Sequence, residues 1–410
     1  MTVSHVYPQD SSVDDGSLSI GGCDAVELAH EFGTPAYIVA EDDLRRRAQA
    51  FKTALADAHP GPGTIVYASK AFPCTAALEL FAEEGLGVDV ASGGELHLAL
   101  KAGFDPAMIV MHGNAKSSAE LAAAVIAGVG TIVIDGSDAG KLARIVPANR
   151  KQRCLIRVVP GVDADVIHEG ILTGHATSKF GLLPDEAAKL IANPPDRIEI
   201  AGLHFHLGSQ LFDGAPFPDA IATLKALGSF PTYDLGGGMA VGYTRDETPP
   251  EPAAWVAEVV AAAHAQLGTD IELLLEPGRA LVANAGVTLY TIEDIKRDFV
   301  AVDGGMSENL RPMLYGAKYE VDVADRMGDG QTYQVVGKHC ESTDVIAREA
   351  SLIDPQIGDI LVTPVTGAYG HAMANNYNGI PRPPVVFVKD GVARAVVRRE
   401  TYEDLTARDQ

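Results

Sequence analysis

Lys70 closes the run Val-Tyr-Ala-Ser-Lys, and no acidic residue stands near it in the chain. At the mouth of a buried pocket its amine would be desolvated, its pKa would fall, and it would attack carbonyl carbon. On an open strand end it would be an ordinary solvated lysine. Gly236-Gly237-Gly238 would let the backbone approach a ligand closely and aim N–H groups at an anion, although a glycine run also makes a tight turn. His204 and His206 stand two apart in an extended run, which would put both imidazoles on one face. They would bind a metal with His112 and Asp303, stack on a flat aromatic ring, or sit as hydrogen-bonded core residues. Glu276 follows the apolar run Ile-Glu-Leu-Leu-Leu, where a carboxylate needs a partner. Arg279 is one candidate and a protonated ring nitrogen is another.

An amine nucleophile, an anion cradle, a stacking imidazole and a carboxylate for a ring nitrogen together describe one cofactor, pyridoxal 5′-phosphate. That reading calls for no metal.

These residues need elements that bring them together. Eight β-type runs lie at 64–69, 87–92, 109–113, 131–135, 154–160, 198–208, 232–238 and 271–278. Ala- and Leu-rich helical patterns separate them, such as 74–84, 94–102, 118–127 and 253–267. Strands alternating with helices pair in parallel through right-handed crossovers. Eight such units within about 250 residues suit an α/β fold of the (β/α)8 TIM-type barrel kind; an open doubly wound sheet is the competitor. The polar residues fall at the C-terminal ends of the runs, where barrels build their sites. Barrel phosphate sites commonly follow strands seven and eight, and the glycine run is there.

After about residue 290 the long helical patterns stop. PVVFVKDGVARAVVRRE reads as a hairpin with Asp390-Gly391 at its turn. QTYQVVGKHC, DILVTPVTGAYG and the run 35–39 read as further strands. We therefore expect a barrel over 41–288 and a mostly β domain built from 1–40 with 289–410.

Composition narrows the field. The chain has 410 residues, with 47% apolar and 21% charged types, enough apolar side chains for a large core. Acids outnumber bases 55 to 32, a net charge of −23, which disfavours nucleic acid and anionic lipid surfaces. No run is long and apolar enough for a transmembrane helix, and the polar start lacks a signal peptide's pattern. Four cysteines with no CxxC pair argue against a zinc ribbon or a disulfide scaffold and fit a reducing cytoplasm.

The stretches VYASKAF, GVDVASGGEL, HGNAKS, HFHLGSQ, DLGGG, EPGRALVANAG, VDGGMSENLRP, MLYGA, GKHCES and TGAYG carry a specific resemblance from about residue 35 to 385. Over that span the chain resembles the barrel-type (fold type III) pyridoxal-phosphate decarboxylases. The resemblance implies that Lys70 carries the cofactor as an internal Schiff base and that His206 stacks on its ring. It implies that Asp89, Ser209, Gly237, Gly238, Gly278 and Arg279 bind the cofactor, the last five around its phosphate. Glu276 would pair with the pyridine nitrogen, keeping it protonated so that the ring withdraws the electrons left by departing CO2. Cys340 would be the acid that returns a proton to carbon, although a free cysteine is commonly just a small buried hydrophobe. Tyr369 would touch cofactor and substrate. In such enzymes the cysteine loop reaches into a neighbouring subunit, which implies a homodimer with shared active sites and a β domain at its interface.

The expected substrate is a small amino acid with a second amino-acid group at its far end, meso-2,6-diaminopimelate, giving L-lysine and CO2 in the last step of lysine biosynthesis. Arg279, Arg311 and Tyr315 would take the far carboxylate, an arginine as a bidentate fork, and Glu341 the far ammonium. Ornithine, lysine or arginine as substrate would need only an acid there. A racemase would need a second base opposite Lys70, and the HCES stretch argues against it. A metal-dependent barrel hydrolase using His112, His204 and His206 is the more distant alternative. A regulator that had lost its cofactor should have lost Lys70 or Cys340. Thr343 and Gly370-His371 depart from the family pattern, and neither is expected to touch a catalytic group.

Overall fold

Eight parallel strands close on themselves in the computed structural model, which describes residues 3–162 and 178–410. They are β1 (Gly63–Ala68), β2 (Gly87–Val90), β3 (Ile109–Met111), β4 (Thr131–Ile134), β5 (Gln152–Arg157), β6 (Ile198–His204), β7 (Thr232–Asp234) and β8 (Glu272–Leu275). Each pairs with the next, and β8 returns to β1 through Leu273 opposite Gly63. The expected barrel is therefore present and the open sheet is excluded. A dry cluster of Val66, Val110, Val133, Leu155, Ala201 and Leu274 draws one residue from six of the strands, the layered packing that fills such barrels.

The helices between the strands start and stop where local chemistry says they should. Ser118–Ala127 begins on a capping box between Ser117 and Glu120 and ends at left-handed Gly128. Gly93–Lys101 is capped by the Ser92 hydroxyl, which accepts from the Glu95 N–H. Pro252–Leu267 opens on a proline in its first turn, where no N–H is missed.

The strands end earlier than their apolar runs. β6 stops at His204, β7 at Asp234 and β8 at Leu275. Beyond them the chain bends through Gly236 at φ +67° and Gly238 at φ +117°, conformations that a side chain would resist. Lys70, His206, the glycine run and Glu276 thus sit just past the strands, while Asp89, His204 and Asp234 lie within them.

Arg47–Ala240 with Pro249–Ala280 forms this unit; the second comprises Met1–Arg46, Val241–Thr248 and Leu281–Gln410. Its sheet runs, in order, Val345–Leu352, Gln331–Val336, Phe299–Val302, Gly286–Lys296, Ala36–Ala40, Val385–Lys389 and Val392–Val397. Ala36–Ala40 lies antiparallel to Gly286–Lys296 and parallel to Val385–Lys389, so the early strand is central. The last two strands form the expected hairpin, with Asp390 and Gly391 both at positive φ, as a two-residue primed turn demands. Tyr290, Ile292, Val302, Val335, Leu352 and Leu361 are among its core. No helix among the described residues is long and apolar enough to cross a membrane.

Candidate active site at the barrel mouth

Lys70 lies in the single 3-10 turn Ser69–Ala71 that follows β1. The acidic partner missing from its local sequence comes from the next strand. Ala68 is in register with Asp89 of β2, and Lys70 Nζ stands 3.0 Å from Asp89 Oδ2. The lysine side chain is 46% exposed and the aspartate 3%, so the amine faces the opening while its counter-charge is dry. Asp89 Oδ1 has no hydrogen-bond partner among the described residues.

The glycines after β7 form a surface that no side chain could share. A Cβ on Gly237 would come within 2.0 Å of the Glu276 carbonyl oxygen, and one on Gly238 within 2.6 Å of the Gly208 oxygen. Close by, the Arg279 guanidinium donates from Nε and Nη2 to the Ser209 hydroxyl, at 3.2 and 2.9 Å. His206 Nδ1 accepts from the Gly237 N–H at 3.2 Å. The imidazole is pushed well below its ordinary pKa, first by burial and then by the Lys70 ammonium, so it stays neutral. Ser209, Gly236-Gly237-Gly238, His206 and Arg279 are thus gathered at one rim, with the cation and small backbone that a phosphate needs.

Two expectations change here. His204 is the last residue of β6 and His206 lies beyond it, so the two rings do not share a strand face. They serve different partners because the chain leaves the sheet between them. Arg279 is not the partner of Glu276; it is engaged with Ser209.

Glu276 meets histidines instead. Its Oε1 lies 2.5 Å from His112 Nε2, and its Oε2 lies 3.5 Å from His204 Nε2. The two rings meet edge to face with centroids 4.7 Å apart. Asp234 completes the group, with Oδ2 4.0 Å from His112 Nε2 and Oδ1 accepting from the Gly236 N–H at 3.0 Å. All four residues are buried. Burial raises the Glu276 carboxyl, but the two histidines outweigh it and hold the pKa well below the usual carboxylate range. Asp234 moves the opposite way, raised by burial and by the Glu276 charge. The four ligand atoms lie within 4.8 Å of one another, a size that admits a divalent ion. The 2.5 Å contact is shorter, however, than the separation of two atoms on one tetrahedral zinc, about 3.3 Å. The hydrolase set fails as well, because His206 points elsewhere and Asp303 bonds the Thr291 N–H at 3.0 Å.

The residues expected from the second unit can be placed within it. Arg311 opens the short helix Arg311–Tyr315, and its guanidinium lies 4.5 Å from the Tyr243 ring centre and 5.6 Å from that of Tyr319. It is buried and donates from Nη1 to the Tyr319 hydroxyl, and no carboxylate among the described residues pairs with it. Tyr315 ends the same helix. Tyr369 sits at φ +63° just before Gly370–Met373. Cys340 is exposed, so it is not the buried hydrophobe that was the alternative. Its N–H donates to Asn378 Oδ1 at 2.8 Å. The loop is pinned by Asp344, which accepts from the His339 ring at 2.7 Å and from the Met306 and His339 N–H groups at 2.7 and 3.0 Å. Glu341 follows the cysteine. Thr343 donates to Glu341 Oε1 at 3.2 Å, so this departure from the family pattern does touch a candidate substrate residue. Gly370-His371 packs on Tyr37, its imidazole edge-on with centroids 6.0 Å apart.

Asp234 and Lys116 were not singled out by the sequence reasoning. Lys116 is almost wholly buried, pairs with Asp138 at 2.8 Å and donates to the Gly113 carbonyl at 2.6 Å. A lysine inside HGNAKS and an aspartate ending an apolar strand were the available signals.

The mouth of a closed α/β barrel thus carries a lysine, a glycine cradle with an arginine, a neutral imidazole and an ionised buried carboxylate. Residues 41–283 match the family model described as pyridoxal-dependent decarboxylase, pyridoxal binding domain. The chain is 42% identical to the diaminopimelate decarboxylase of Actinosynnema pretiosum subsp. auranticum, covering 98% of this chain and 95% of that one. It is also 42% identical to the diaminopimelate decarboxylase of Bacillus subtilis, over 96% of this chain and 95% of that one. The crystal structure of diaminopimelate decarboxylase from M. jannaschii with L-lysine superposes at a TM-score of 0.91 and 30% identity, over 98% of both chains. The chain belongs to the pyridoxal-dependent decarboxylases, in the diaminopimelate decarboxylase family.

Proposed function

We propose that this enzyme removes CO2 from meso-2,6-diaminopimelate to give L-lysine, with pyridoxal 5′-phosphate as its cofactor, in the last step of lysine biosynthesis. The observation that carries this is the position of Lys70, His206, the glycine cradle and Glu276 just past the ends of four different barrel strands. The cofactor, when bound, supplies a ring that accepts the electron pair released with CO2.

The chain's own residues do the rest. Lys70 Nζ would hold the aldehyde carbon, and Asp89 would pair with the lysine ammonium whenever that amine is free. Ser209, Gly237, Gly238, Gly278 and Arg279 would bind the phosphate, and the neutral His206 ring would lie against the aromatic face. Glu276, kept ionised by the histidines beside it, would hold a proton on the ring nitrogen.

The far end of the substrate is the discriminating part. Arg311 supports the diacid reading, since a buried guanidinium without a carboxylate partner is a costly arrangement that an incoming carboxylate relieves. We assign Arg279, Arg311 and Tyr315 to that carboxylate, Glu341 to the far ammonium and Tyr369 to contact with both cofactor and substrate. Cys340 would protonate the substrate carbon once CO2 has left, and its exposure supports delivery to the site of a partner subunit in a homodimer. We place the enzyme in the cytoplasm, acting on a small molecule without nucleic acid or membrane. Measuring CO2 release from meso-diaminopimelate, L-lysine, L-ornithine and L-arginine tests the assignment. Turnover should be confined to the first; release from ornithine alone would overturn it.

A further inference from the structure

His112 is not among the residues assigned to hold cofactor or substrate, yet the backbone is arranged to place it. Its N–H donates to the Val90 carbonyl at 2.8 Å, extending the β2–β3 ladder by one residue. The next residue, Gly113, stands at φ +104°, where a Cβ would come within 2.4 Å of the Ala91 oxygen. Lys116 then ties down the Gly113 carbonyl.

Glu276 and Asp234 are two buried carboxylates in one cluster, and two such groups do not both ionise in a dry site. The geometry decides which one keeps the charge. His112 Nε2 is 2.5 Å from Glu276 and 4.0 Å from Asp234. Glu276 Oε1 and His112 Nε2 have no hydrogen-bond partner elsewhere or in each other among the described residues, so their 2.5 Å approach is an ion-pair contact. His204 is fully buried, and that burial lowers its pKa to about 4. Among the described residues, Arg157 and Asp89 are the other charged groups that act on the cluster.

We propose that His112 is a positioning residue that orients Glu276 and keeps the cluster's shared proton on Asp234, so that Glu276 meets the cofactor ring as a carboxylate. This rests on the pyridoxal-phosphate reading of the site. His112 itself touches neither substrate nor cofactor; it acts through Glu276.

The test uses His112→Phe, His112→Gln, Glu276→Gln and the double variant H112F/E276Q. The readouts are cofactor affinity, by titrating the apoenzyme, and the pH dependence of the bound cofactor's visible band. H112F should weaken cofactor binding about tenfold to a hundredfold, the effect of losing one close polar contact to a charged group. It should also move the band's titration to lower pH. H112Q, whose amide N–H reaches the same carboxylate, should restore most of both. The double variant should be no worse than E276Q alone. If H112F does not fold, judged by melting of the apoenzyme, His112→Asn replaces it, its amide being too short to reach Glu276. Parent-like affinity and band in H112F or H112N, penalties that multiply in the double variant, or one tightly bound zinc per chain would each overturn the proposal. An E276Q variant with an unchanged band would instead remove the underlying reading of Glu276.

Discussion

Lys70 Nζ stands 3.0 Å from Asp89 Oδ2, a half-exposed amine on a dry carboxylate from the neighbouring strand. The pair explains how a nucleophilic lysine waits at the barrel mouth. Removing the amine leaves Asp89 buried without its counter-charge. Lys70→Ala should abolish turnover and bleach the visible band of the purified enzyme. It should also destabilise the apoenzyme by about 1 kcal/mol, because the lysine end of the pair is screened by water. Full activity in that variant would sink the mechanism.

Asp89→Asn tests the other half of the pair. The amide still accepts a hydrogen bond, so the barrel should fold normally. The amine loses its counter-charge and should deprotonate more easily. Cofactor reloading of the apoenzyme should then keep its rate at a lower pH than in the parent. Identical pH profiles for reloading would show that the ion pair has no part in poising Lys70.

Glu308 gives the stability a pH dependence with a definite sign. Burial pushes its carboxyl up to about 7, although bonds from Ser307 and Gly305 oppose the rise. The folded state therefore holds a proton that the unfolded chain releases near its ordinary value. Stability falls as pH rises from about 4.5 through 7, by up to about 3 kcal/mol. Glu308→Gln removes that loss, so its urea midpoint should gain on the parent's between pH 5 and pH 8.5. On the acid side His204 acts in the opposite direction, since burial holds its pKa at about 4. The unfolded chain takes up that proton first, and stability falls as pH drops from about 6.5 to 4.

The barrel was legible because alternating apolar runs and helical patterns record its parallel pairing directly, and Asp390-Gly391 announced its hairpin. The strand ends were not legible. His206 lies past the end of β6 and accepts from the Gly237 N–H, some thirty residues away in the chain. The partners of Glu276 were hidden for a similar reason. Arg279 is near it in sequence, but β8 lies beside β1 and β7, and the residues that reach the carboxylate are the late-strand histidines 112 and 204. Lys70 seemed to lack an acid only because Asp89 is its partner through register rather than through sequence.

Thr343 is the residue here on which substrate preference should turn. Its hydroxyl donates to Glu341 Oε1 at 3.2 Å, lowering the carboxylate's freedom and occupying one of its lone pairs. Thr343→Ala should free that oxygen for the substrate's far ammonium. The KM for meso-diaminopimelate should change by about twofold to fivefold, the size of one exposed hydrogen bond, with kcat unaffected. A change in kcat alone would indicate that the threonine acts on the neighbouring cysteine instead.

Cys340 provides the test of shared sites. Its side chain is exposed and its loop is fixed by Asp344, so the thiol is presented outward rather than buried in its own unit. Lys70→Ala and Cys340→Ala chains should each be inactive as homodimers. If each site takes its lysine from one subunit and its thiol from the other, a mixed dimer has one site with both defects and one with neither. Mixing the two variants through reversible dissociation should therefore restore up to about a quarter of the parent activity, since half the dimers are mixed and each has one intact site. If both groups come from the same subunit, every site carries one defect and mixing restores nothing. A flat response to mixing, with mixed dimers demonstrated by mass, would remove the shared-site proposal while leaving Lys70 and Glu276 in their roles.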